Sequence, residues 1–270
     1  MTLQRSQSKG EATMVCRQTH DSSSSNALIS AAVLRRFRDD ARGIAALEFA
    51  LILPLMLMIY LGLVEMSRGL RASQRLDLVA HTLSDLTARQ LTGGSNTGQA
   101  GLSSGALVSI FSAAEALASP LPLTTLKMTV SEINITGTPT SAPTSWQAKP
   151  NWTVTYNSST QRACNVVLTT SSASPVTWGA LPPTYTTVSA SGVAPVTGPL
   201  IVADLTYTYT PVAGFDMAHW ASPPNISMAR TSYSPVRNTY APPHIQIFMT
   251  ADATSPGGMT IHPANCNGTP

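Results

Sequence analysis

Glu48 is the residue whose placement most constrains the chemistry of this chain. It is the only charged residue in the apolar run Ile44–Val64, within the stretch "RGIAALEFALILP" (42–54). An ionised carboxylate at the centre of a bilayer is penalised by roughly 2.5–3.5 kcal/mol on insertion scales. Glu48 lies about one helical turn from Gly43, so it can sit near an interface at lower cost. It can snorkel to the headgroups, pair with Arg42, or find a partner elsewhere. Three cysteines offer a second chemistry: Cys16 precedes the run, and Cys164 and Cys266 follow it. If the run spans a membrane, the last two share a side. They can then pair in an oxidising compartment, or remain two partly buried thiols.

Other reactive residue types carry less. His262 and Cys266 are four apart, with His219 and His244 elsewhere. The segment is rich in Pro and Gly and has no second cysteine nearby, so no metal site is assigned. Asp204, Asp216 and His219 lie in a serine-rich chain in which accidental triads are easy to draw. No G-x-S-x-G, Walker loop, H-E-x-x-H or C-x-x-C occurs. The expectation is no catalytic residue, no metal and no cofactor, hence no enzyme.

The elements that position these residues follow from composition. Residues 1–90 hold eleven of the sixteen Lys/Arg and eight of the thirteen Asp/Glu, while residues 91–270 hold five of each. A sparsely charged, neutral C-terminal part excludes the clustered cations that nucleic-acid binding needs. Residues 1–34, with "DSSSSN" at 21–26, cannot build a core and read as disordered. The run Ile44–Val64 matches a hydrocarbon core of about 30 Å at 1.5 Å rise per residue. It is longer than the apolar region of a cleavable secretory signal, and "VEMSRGL" offers no small-x-small site. Four arginines precede it (Arg35, Arg36, Arg38, Arg42) and three follow closely (Arg68, Arg71, Arg75). This balance favours a cytoplasmic N-terminus by a small margin.

Beyond the run, "EMSRGLRASQRLDLVAHTLSDLTARQ" (65–90) reads as an amphipathic helical extension. Its stripe is Met66, Leu70, Leu76, Val79, Leu83 and Leu86. Pro54 is expected to kink the helix, and "LTGGSNTGQAG" (91–101) to end it. A short helix follows, capped by Ser103 or Ser104, with Leu107, Ile110, Phe111, Ala114 and Leu117 on one face and a stop before "SPLP" (119–122). From Leu123 the period changes to two. Strands are expected in 123–136, 151–157, 200–212 and 244–250, with long loops at 137–150 and 169–198. They would form an antiparallel sheet with one buried face. The fold class is α+β. The parts are a leader (1–43), a transmembrane helix (44–64), a helical extension (65–90) and an exported Ser/Thr/Pro-rich domain (91–270).

The segment "GIAALEFALILPLMLMIYLGLVEMSR" (43–68) resembles the TadE/TadG-like proteins of Tad (tight adherence) pilus systems, with their G-x-x-A-x-E-F-A-hydrophobic-P signature. "IVADLTYTYTP" (201–211) is similar to a further stretch of that family. So is "ISMARTSYSPVRN" (226–238), which resembles a Tyr-x-x-Pro-Arg ending with Val236 inserted. The resemblance implies a pilin-like minor component of a Tad-type pilus or secretion apparatus. It would be single-pass in a bacterial inner membrane, with the N-terminus cytoplasmic and the C-terminal domain periplasmic or extracellular. Its implied partners are other pilus subunits, the assembly platform, the lipid bilayer and a prepilin peptidase. The resemblance also implies a cut between Gly43 and Ile44, though a leader of 43 residues is long for a prepilin. The new α-amino group would then meet Glu48 of a neighbouring subunit. The alternatives are a membrane-anchored adhesin or envelope-binding module and, lacking catalytic motifs, an anchored hydrolase.

Overall fold

The computed structural model describes residues 41–90, 100–138, 143–164, 166–168, 181–189, 191–195, 197–211, 225–237 and 245–266. The disordered reading of residues 1–34 lies outside the described residues, as do residues 91–99. The fold is α+β: a long apolar N-terminal helix, a short helix and an antiparallel sheet. The chain divides into two units, Met1–Tyr60 and Leu61–Pro270.

Helix α1 spans Ala41–Ala88, with Pro54 inside it. In the first unit its described side chains, residues 45–60, are all exposed, and all but Glu48 are non-polar or aromatic. The helix is long and apolar enough to cross a membrane. In the second unit the helix becomes one-sided. Ala72, Leu76, Val79, Ala80, Leu83 and Ala88 are buried, which is a stripe at spacings of three and four. Two members of the expected stripe fall outside it: Met66 is 64% exposed and Leu70 54%. The reason is angular. At 3.6 residues per turn, Leu70 sits about 120° around the axis from Leu76, whereas Ala72 and Ala80 lie on its face.

After α1 come strand β1 (Ala100–Leu102), which takes the end of the expected 91–101 loop, and helix α2 (Ser104–Ala118). Ser103 caps α2, its hydroxyl accepting from the Ala106 N–H at 3.2 Å. Leu107, Ile110, Phe111 and Ala114 are buried, joined by Ala118, with Leu117 at the margin. Strands β2 (Leu126–Thr138), β3 (Ser145–Tyr156), β4 (Gly198–Tyr209), β5 (Ile226–Pro235), β7 (Ala253–Thr254) and β8 (Thr260–Asn265) form one antiparallel sheet. Their order is β5-β4-β2-β3-β8-β7. The segment expected as a fourth sheet strand is instead β6 (Ile245–Ile247), which pairs in parallel with β1. That pairing needs Gly101, since a Cβ there would fall 1.9 Å from the Phe248 ring.

Two expectations about the sheet are corrected. Residues 145–150 continue β3 and are not loop, because β2 and β3 form a long hairpin whose pairing runs to Thr138 and Ser145. The register shifts between Glu132 and Ile133, where Pro150 falls, and an irregular position tolerates proline's missing N–H. The sheet also buries both faces. Leu126, Met128, Val130, Val154, Ile201, Ala203 and Leu205 pack with α1 and α2. By simple alternation along β2, Ile133 and Ile135 point to the opposite face. There they pack with Val202, Leu168, Leu181 and Ala148, the last brought to that face by the extra residue Asn151 in β3. Loop residues cover that second face.

Leu83 is fully buried and Leu78 is 52% exposed on the same helix. Leu83→Ala should lower unfolding stability by about 2–5 kcal/mol, and Leu78→Ala by less than about 1 kcal/mol. Denaturant unfolding of the purified chain in neutral detergent measures both.

Candidate functional site

The first candidate surface is the apolar part of α1. Gly43 and Ile44 lie in its opening turn, and the side chains of residues 41–44, Arg42 included, lie outside the described residues. Glu48 is exposed and forms no hydrogen bond or ion pair with another described residue. Ala45, Ala46 and Ala50 are exposed as well. The surface thus presents one carboxylate, small residues beside it, and large apolar side chains elsewhere.

The second unit ties its own part of α1 to two strands. On β5, Ser232 and Ser234 hydroxyls lie 2.9 and 3.0 Å from the Ser84 hydroxyl. The Ser232 hydroxyl is also 3.0 Å from His81 Nδ1. Arg230 pairs with Asp77 at 2.7 Å, and Arg237 with Asp85 at 3.4 Å. The Arg237 N–H also donates to the Ala88 carbonyl at 3.0 Å, which satisfies one of the helix's orphan acceptors. On β4, the Tyr209 hydroxyl donates to Glu65 at 2.6 Å. Burial and the Glu65 carboxylate push that phenol up to about 12. The described parts of the two stretches, 201–211 and 226–237, therefore run along and just past β4 and β5, and both dock on the helix that carries residues 65–88.

Three of the four described carboxylates after residue 90 are buried. Glu132 accepts from Asn151 Nδ2 at 2.8 Å, Trp152 Nε1 at 3.2 Å and the Ile245 N–H at 3.0 Å. Glu115 accepts from the Tyr156 hydroxyl at 2.8 Å and the Gly257 N–H at 3.1 Å. Burial and Glu115 push the Tyr156 phenol up. Asp204 accepts from Arg162 at 2.6 and 2.9 Å and from Thr231 at 2.7 Å. Burial pushes the Asp204 carboxyl up, while Arg162 and Thr231 pull it down. Each of these acids joins a helix, loop or strand to the sheet. Asp204, which sequence reading considered only as a triad member, is held by these donors. Asp216, His219 and His244 lie outside the described residues.

Sequence reasoning missed Glu115 and Glu132. The available signal was a lone carboxylate inside an apolar helix face or a strand, which has to find donors once buried.

Cys164 and Cys266 are joined in a disulfide with a Cα–Cα distance of 4.8 Å, inside the usual range for the bond. His262 instead pairs with Asp252. Among the described residues no cluster of His, Cys, Asp and Glu is arranged to hold a metal. Tyr207 is buried in the core facing the helices.

Residues 43–83 match the family model described as TadE-like protein. No curated protein and no solved structure matches the chain. The match spans 41 of the chain's 270 residues, all of them in α1.

Peptide mapping after alkylation tests the covalent tie. Cys164 and Cys266 should resist alkylation before reduction and both react after it. Cys266→Ser should lower stability by about 2–4 kcal/mol, as expected for a link that closes a long loop.

Proposed function

We propose, from a chain that is TadE-like over residues 43–83, that this protein is a minor pilin-like component of a Tad-type pilus assembly or secretion apparatus. Residues 44–64 anchor it once in the bacterial inner membrane. Residues 1–43 face the cytoplasm, residues 65–90 extend the helix, and residues 91–270 form the exported domain. The observation that carries this reading is Glu48, an exposed carboxylate on an otherwise apolar helix surface. The disulfide supports export to an oxidising compartment.

The mechanism is assembly. A peptidase cuts between Gly43 and Ile44, and the cut leaves an α-amino group at the helix tip. In a neighbouring subunit Glu48 accepts that cation, and the pair fixes the axial register of adjacent helices. The net energy of such a pair is small, but removing one partner strands a buried charge at a cost of about 3–5 kcal/mol. Ala45, Ala46 and Ala50 permit close helix approach, and Pro54 lets the helix bend within a bundle. The partners are other pilus subunits and the assembly platform.

Two measurements test this. N-terminal sequencing of membrane-extracted protein should begin at Ile44, and a surviving 1–43 segment would sink the cut. Glu48→Ala should leave membrane insertion intact yet abolish co-purification with other pilus subunits, and an unchanged pulldown rejects the register role. Function that survives exchange of residues 44–64 for an unrelated membrane helix would favour an anchored adhesin instead.

A further inference from the structure

Arg68, Arg71 and Arg75 recur at spacings of three and four on α1, which places them on one face. They line a cleft of about 440 Å³ in the second unit. Opposite them stand Leu121 and Pro122, which follow α2, and the β4 residues Tyr207 and Tyr209. The three guanidinium groups are used unequally. Arg75 donates to the carbonyls of Leu117 (3.4 Å) and Ser119, closing the C-terminus of α2. Arg68 pairs with Glu65 at 3.4 Å. Arg71 is exposed and has no ion-pair partner among the described residues. One nearby carboxylate thus faces three cations, in a chain whose residues 91–270 carry five charges of each sign.

The position of the cleft narrows the ligand. Arg68 and Arg71 lie four and seven residues past Val64, the last residue of the apolar run. That is about 6 and about 10 Å along the axis at 1.5 Å per residue. The headgroup layer beside a hydrocarbon core of about 30 Å is roughly 5–8 Å deep on each side, and an arginine stem covers the remaining distance. Guanidinium groups bind phosphate oxygens in a bidentate fork, and the walls at Leu121 and Pro122 suit the first methylenes of a lipid's acyl chains.

We propose that this cleft holds the phosphate headgroup of an anionic phospholipid, drawn from the leaflet on the side of the exported domain, with Arg71 as its principal ligand and Arg68 as its second. The site fixes how deeply the domain sits against the membrane. It rests on the reading of residues 44–64 as the span.

The test uses the full chain in neutral detergent and native mass spectrometry with three probes: dihexanoyl-phosphatidylglycerol, dihexanoyl-phosphatidylcholine and inorganic phosphate. One phosphatidylglycerol should bind saturably, with phosphatidylcholine at least about tenfold weaker. Arg71→Gln should weaken phosphatidylglycerol about fivefold, the increment expected for one cation at an anionic surface, and Arg68→Gln with Arg71→Gln should weaken it further. Arg89→Gln, which removes the same charge from outside the cleft, should leave binding unchanged. Equal binding of the two lipids, unchanged binding by Arg71→Gln, or an equal loss in Arg89→Gln overturns the proposal. Inorganic phosphate that binds as tightly as phosphatidylglycerol makes this a free-phosphate site and overturns the lipid assignment. Loss of a co-purifying subunit in Arg71→Gln with unchanged lipid binding assigns the cleft to an acidic protein, and also overturns it. Flotation of the same protein with phosphatidylcholine vesicles is scored separately. Failure to float sinks the span, whereas flotation without a phosphatidylglycerol preference sinks only the headgroup site.

Discussion

A helix that passes from hydrocarbon to a protein surface has to exchange an all-round apolar exterior for a one-sided one, and α1 makes that exchange between Val64 and Ala72. Through residue 61 every described side chain is exposed, which water would not tolerate and a bilayer requires. From Ala72 onward a narrow stripe is buried while Asp77, Leu78 and His81 stay exposed. Glu65, Arg68 and Arg71 fill the interval. Their charges would be costly two turns earlier and useful two turns later, so they mark where the solvent changes.

The part after residue 90 meets a different constraint: it has few charges with which to fix its parts. It buries three carboxylates and surrounds each with donors. Burying a charge is unfavourable unless it is paired or hydrogen-bonded. In return, each acid specifies one arrangement of neighbouring segments, since any other leaves it without donors. Glu132 holds the β6 segment against the sheet, Glu115 joins α2 to β3 and the turn before β8, and Asp204 holds the loop at Arg162. The disulfide adds a covalent tie across a sequence separation of 102 residues.

What the sequence revealed depended on the range of the forces involved. The apolar run, the Ser103 cap, the helical stop before Pro120 and the alternation in β2, β3 and β4 are local properties, and the structure has them. The helix stripe was misread at Met66 and Leu70 because its true members include Ala72 and Ala80. Their small side chains carry little hydrophobic signal, yet both are buried in the core. Strand β5 was not recognised because its buried residues, Ser232 and Ser234, are polar. They meet Ser84 and His81 on a distant helix, a match no local pattern displays. The register shift at Glu132 and the parallel pairing of β1 with β6 are also long-range events. Burial of the second face depends likewise on distant loop residues, Leu168 and Leu181, that no strand pattern displays.

The same distinction bears on Glu48. Between apolar helices in lipid there is little hydrophobic drive to associate, since the lipid tails are as apolar as leucine. Specific assembly through α1 must therefore use shape, from Ala45, Ala46 and Ala50, and one polar contact. Two copies meeting at Glu48 alone would repel, so the proposed contact needs a cation within about two turns. The sequence offers two, and they exclude one another. Arg42 is available only in the uncut chain, because a cut after Gly43 removes it with the leader. The α-amino group of Ile44 exists only after that cut, about 6 Å along the axis from Glu48. On the proposed reading, cleavage therefore replaces a flexible cation tied to the cytoplasmic leader with a fixed one at the helix tip. That substitution would give Glu48 a cation whose position is set by the helix itself, which is what an axial register between subunits needs.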